Sequence, residues 1–106
     1  MSLDQKKKTA DLLGICLKAG KAVKGFDPAC ESVQNGKAAC ILTASDASAK
    51  TVKEAEFIGG KYNVPVYRTD LTKDDIGRLC GKSTAVIAVT DKGFAEGFRK
   101  LTTAGN

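Results

Sequence analysis

The sequence predicts an α/β fold: one domain, a three-layer α/β/α sandwich with a small mixed central sheet. Three observations predict it. Helical and strand-like patterns alternate along all 106 residues with only short breaks between them. The runs 38–44 and 85–89 are short and wholly apolar, as strands covered on both faces are. The helical segments are amphipathic, and a sheet apolar on both faces needs helices on both sides. A chain of this length holds one core, so residues 1–106 are expected to form a single domain.

In order, residues 4–19 form the first helix, with Leu12, Leu13, Ile15, Cys16, Leu17 and Ala19 on one broad face and Gly20 ending it. Residues 21–25 suffice only for a strand fragment. Asp27-Pro28 predicts an N-cap followed by proline at the first helical position, in a helix that stops at Asn35-Gly36. The strand at 38–44 follows. Ser48 then caps a helix reaching Tyr62, whose last turn Gly59-Gly60 weakens. Residues 64–68 form a strand with Pro65 at its start, where no ladder donor is needed. Thr72 to Asp75 is an acidic variant of the capping box, opening a helix through Ile76, Leu79 and Cys80 that Gly81 closes. After the strand at 85–89, Asp91 caps a last helix with Phe94, Phe98 and Leu101 on one face.

Composition narrows the function. Seventeen Lys and Arg against twelve Asp and Glu give a net charge of +5, which suits a polyanionic partner. No apolar run approaches the roughly 18 residues of a membrane span, and Met1 to Lys8 lacks the apolar stretch of a signal peptide, so a cytoplasmic protein is expected. With no His, and with Cys16, Cys30, Cys40 and Cys80 scattered and free of any C-x-x-C pair, no metal or other cofactor is expected. All four thiols have small or apolar neighbours and are read as inert core residues.

Chemical motifs are few. Gly77, Gly81, Lys82 and Ser83 imitate a phosphate-binding loop but are one residue short, and they end a helix where such a loop opens one. Gly81 is better read as a helix C-cap. The i, i+4 pairs Asp27/Glu31 and Asp70/Asp74 suit helix starts better than acid–base catalysis. No catalytic constellation emerges, and an enzyme is not expected.

Cations carry the remaining signal. Lys18, Lys21 and Lys24 lead into Gly25-Phe26, Lys37 precedes a strand, and Arg78, Lys82, Ser83 and Thr84 surround the break before the last strand. Lysines supply charge, Gly25 permits close backbone approach, and Phe26 either stacks on a base or staples the helix entry. The Lys6-Lys7-Lys8 run suits a solvated end better than a phosphate contact.

Five stretches then form a recognisable set: LLGICLKAGKAVKG from Leu12, NGKAACILTASD from Asn35, NVPVY from Asn63, IGRLCG from Ile76 and AVTDKGF from Ala88. Together they resemble the kink-turn-binding ribosomal protein family of the archaeal L-seven-Ae and L-thirty type, most closely its small bacterial YlxQ-type branch. The resemblance spans about residues 10–100. It implies an α/β/α sandwich that binds structured RNA, ribosomal or kink-turn-like, without catalysis. It also implies that an Asn-Glu-x-x-Lys signature at the start of the second helix reads sheared G·A pairs. In this chain Lys24-Gly25-Phe26 keeps the preceding turn, but Asp27, Pro28 and Glu31 stand where the Asn, Glu and Lys are expected, and Lys82-Ser83-Thr84 replaces an apolar loop. The expected RNA-binding residues are therefore Lys21, Lys24, Gly25, Phe26, Asp27, Lys37, Lys82, Ser83 and Thr84. They grip phosphates in a monomeric, translation- or ribosome-associated factor, with ribosomal proteins as further partners. The alternative is a protein-interaction module on the same fold that docks on ribosomal or transcription proteins and has lost RNA recognition.

Overall fold

A computed structural model describes residues 3–103. Its elements are α1 (Leu3–Lys18), β1 (Ala22–Lys24), α2 (Phe26–Gln34), β2 (Cys40–Thr43), α3 (Ala49–Tyr62), β3 (Val66–Arg68), α4 (Lys73–Cys80), β4 (Val86–Val89) and α5 (Lys92–Thr103). The expected caps are largely in place. Ser48 Oγ accepts the Thr51 N–H, and Asp91 Oδ1 accepts that of Phe94. Thr72 and Asp75 form the full capping box: the Thr72 hydroxyl accepts the Asp75 N–H and the Asp75 carboxylate accepts that of Thr72, both at 3.0 Å. Gly81, at φ 97°, closes α4 by donating its N–H to Gly77.

One cap differs. Gly25, not Asp27, is the N-cap of α2, so Asp27 and Pro28 are the second and third helical residues. The reason is backbone geometry. Gly25 holds φ 98° and ψ 154°, a conformation open to glycine alone, which turns the chain into the helix two residues early. Pro28 costs nothing there, because the first-turn N–H groups of a helix have no partner within it.

The sheet order is β1-β4-β2-β3, with β2 and β3 parallel and both contacts of β4 antiparallel. Period-two alternation sends Cys40, Leu42, Ile87 and Val89 to one face, with Leu13, Cys16, Leu71, Ile76 and Phe98. Ile41, Val86 and Ala88 point to the other, with Ala29, Val33 and Ala55. The layers are therefore α1, α4 and α5, then the sheet, then α2 and α3. Cys30 and Cys80 are only half-buried, unlike the core thiols Cys16 and Cys40. Cys30 borders a surface groove between α2 and α3 and is not the core residue expected, whereas Cys80, at the end of α4, packs against the core but is only partly buried.

Strand direction has a consequence for function. β4 runs against the other three strands. One end of the sheet therefore collects the exits of β1, β2 and β3 and the entry to β4. The opposite end collects the entries to β1 and β2 and the exit from β4.

Candidate nucleic-acid interface

At the first end, two loops from distant parts of the chain are joined. The Gly25 N–H donates to the Val86 carbonyl at 2.9 Å, pinning the β1–α2 turn against the start of β4. Lys24 Nζ reaches the Cys80 carbonyl at 3.4 Å, linking that turn to the end of α4. The α4–β4 loop is braced from inside: the Thr84 hydroxyl donates to the Lys82 carbonyl at 2.8 Å, and the Cys80 thiol approaches the same oxygen at 3.5 Å. Gly77 lets this loop lie on α4, since a Cβ there would stand 2.9 Å from the Ser83 nitrogen. Lys82 and Ser83 are left exposed on the rim of a shallow cleft of about 410 Å³ that Asp74 and Arg78 also line.

The expected site residues therefore divide. Lys24, Gly25, Asp27, Lys82 and Ser83 come together at the first end. Thr84 is there too, but it is buried, and its hydroxyl holds the loop. Phe26, the first residue of α2 and not the residue before its N-cap, packs on the α2/α3 side of the core and lines the groove between those helices. Lys21 and Lys37 lie at the opposite end. Lys21 precedes β1, about 10 Å along the strand from Lys24, and its carbonyl accepts the Thr90 N–H just beyond β4. Lys37 shares a cleft with Thr90.

Sequence reasoning missed Arg68 and Lys73. Arg68, exposed at the exit of β3, donates from its guanidinium to the Ser45 carbonyl at 2.8 Å. Lys73, at the start of α4, donates its backbone N–H to Asp46 at 2.8 Å. Both thus stand at the end that carries Lys24 and Lys82. No local pattern marks them, because Arg68 ends an ordinary strand and Lys73 starts an ordinary helix, and only sheet order makes them neighbours of the site.

The site's chemistry is electrostatic. Burial pushes the Cys16 thiol up to about 11, helped by Asp91, and Cys40 up to about 12, so both stay protonated at neutral pH and are poor nucleophiles. Cys30 is raised too, first by burial and then by Asp27 and Glu54. Among the described residues, no three Cys, Asp or Glu side chains converge as metal ligands, and no helix is long and apolar enough to cross a membrane.

Residues 7–98 match the family described as Ribosomal protein L7Ae/L30e/S12e/Gadd45. The chain belongs to that family. Among its relatives is the RNA-binding protein YlxQ of Bacillus subtilis, 38% identical over 85 residues, which are 79% of this chain and 84% of the relative. The RNA-binding protein YlxQ of Enterococcus faecium is 29% identical over 101 residues, 95% of this chain and 97% of the relative. A solved structure of a Bacillus halodurans protein of unknown function superposes with a TM-score of 0.82 at 31% identity, covering 92% of this chain and 97% of that one. Asp27, Pro28 and Glu31 lie on the first turns of α2, directly after the Gly25 turn.

Proposed function

We propose that this protein binds structured RNA at the first end of its sheet, non-catalytically, as a cytoplasmic, monomeric accessory factor of the ribosome or translation machinery. The observation that carries the reading is the joining of the β1–α2 turn to the α4–β4 loop, which leaves Lys24, Lys82 and Ser83 exposed on one end. Membership of the L7Ae/L30e family and the RNA-binding YlxQ relatives support it. Proline offers no side-chain hydrogen bond at position 28, and Glu31 puts an anion where a cation is expected. Contact is therefore mainly with phosphates, which position an RNA without reading its bases.

The test is a fluorescence-anisotropy titration with a kink-turn RNA, the same RNA with its G·A pairs disrupted, and an unrelated hairpin, each at two salt concentrations. Salt-sensitive binding to all three is expected, weakened by Lys24→Glu and Lys82→Glu. Tight binding to the intact kink-turn alone would show that Asp27, Pro28 and Glu31 still read G·A pairs, and no binding to any would overturn the RNA reading.

A second reading is favoured by a different observation. Phe57 is 70% exposed in a largely apolar groove of about 580 Å³ between α2 and α3, shared with Phe26, Cys30 and Ile58. On this reading the fold docks on ribosomal or transcription proteins. Partners that persist in a crosslinking pull-down after ribonuclease treatment, and are lost in Phe57→Ser, would favour it.

A further inference from the structure

The opposite end of the sheet is also cationic. Lys18 ends α1, Lys21 leads into β1, Lys37 leads toward β2 and Lys92 opens α5. The fold gathers them because β4 runs backwards: the Thr90 N–H donates to the Lys21 carbonyl at 2.9 Å, and Thr90 and Lys37 border one cleft of about 250 Å³. All four side chains are exposed, and none joins an ion pair within the described residues. Two acids stand among them. Asp91, whose carboxylate accepts the Phe94 N–H, and Glu31, at the cleft wall, are two charges set against four.

Helix stability explains only part of this placement. Lys18 ends α1 and Lys37 follows α2, at the carbonyl ends of those helices, where a cation is favourable. Lys21 belongs to a strand entry. Lys92 is the first residue of α5, where the helix dipole opposes a positive charge. Four exposed cations, two of them not explained by helix ends, around a cleft with Glu31 at its wall fit an anionic partner.

We propose that Lys18, Lys21, Lys37 and Lys92 form a second RNA-backbone contact surface, separate from the Lys24/Lys82 end, so that the protein grips two segments of one RNA. This rests on the RNA-binding reading above. Lys21 and Lys37 then act here and not at the first end. RNA long enough to run along the protein, whose longest dimension is 33 Å, engages both ends. A short hairpin engages one.

The experiment compares two RNAs: a hairpin with short arms, and the same hairpin with one arm extended beyond the length of the protein. Lys18→Gln, Lys21→Gln and Lys37→Gln are combined in one variant and also made singly, with thermal unfolding as the folding control. For the extended RNA the triple variant should bind about tenfold or more weakly, with a salt slope reduced by roughly one per lysine removed. For the short hairpin its affinity should stay within about twofold, while Lys24→Gln/Lys82→Gln weakens both RNAs. Each single variant should show a share of the loss. Unchanged affinity for the extended RNA would overturn the second surface while leaving the first. Equal weakening for both RNAs would place these lysines in one footprint with Lys24 and overturn it too. Failure of the unsubstituted protein to bind either RNA would overturn the RNA reading and this inference together.

Discussion

Replacing Asp75 by Ala should destabilise the protein in a way that depends on pH. The Asp75 carboxylate accepts the Thr72 N–H at 3.0 Å, pairs with Lys6 at 3.0 Å and holds Arg78 at 3.0 Å. The Thr72 backbone bond first, then the Lys6 contact, hold its carboxyl down from the ordinary 3.8 to about 2. By linkage, a shift of that size is worth at most about 2.5 kcal/mol. Solvent reduces it: the Lys6 and Arg78 side chains are 41% and 78% exposed, against 16% for Asp75, so the ionic share is screened. The cap itself is worth about 1 kcal/mol. A loss of about 1–2 kcal/mol at pH 7 is therefore expected, roughly 4–10 °C in Tm for a domain of this size.

The sign follows from the direction of the shift. A depressed carboxyl stabilises the fold at pH values above its unfolded pKa, and that contribution fades as pH falls through the folded value. The difference between wild type and Asp75→Ala should be constant above about pH 5, and its ionic part should shrink between about pH 4 and pH 2. Asp75→Asn keeps an acceptor for the Thr72 N–H and should lose less. Thermal unfolding by circular dichroism over pH 2–7 reads both variants. A pH-independent deficit, or none at pH 7, would refute the reasoning. Because α4 carries the Lys82 loop, the same variant should also weaken RNA binding at temperatures where α4 frays.

Two further outcomes are expected. Gly77→Ala drives a Cβ to 2.9 Å from the Ser83 nitrogen and about as close to Lys82, so the loop must lift from α4. It should reduce RNA affinity, whereas Gly60→Ala, with open space around it in a helix, should stabilise the fold by about 0.5–1 kcal/mol and leave binding unchanged; equal effects in titration and denaturation would contradict the packing described. Thiol titration at pH 8 should leave Cys16 and Cys40 silent in the native protein, with a thiolate fraction of roughly one in a thousand or less, and release them on unfolding, while half-buried Cys30 and Cys80 react earlier. Four thiols reacting at one rate would show that the core is open.

The sequence by itself determined the elements and most of their ends. Ser48, Thr72 with Asp75, Gly81 and Asp91 act within one helical turn of themselves, and the apolar strand cores 40–43 and 86–89 declare burial on both faces by composition. Such signals are local, so they survive without knowledge of the fold. The Gly25 cap was misread for an equally local reason: Asp27-Pro28 is a good capping pair, and only the positive φ of Gly25 moved the helix start ahead of it. Tertiary structure alone decided where the lysines stand relative to one another. Lys21 and Lys24 are three residues apart, yet they stand at opposite ends of β1. Lys24 and Lys82 are far apart in sequence but meet because β4 lies between β1 and β2 and antiparallel to both. Strand order is set by which apolar faces pack against which helices, a non-local balance that no short motif records. Thr84 turned inward and Arg68 joined the site for the same reason.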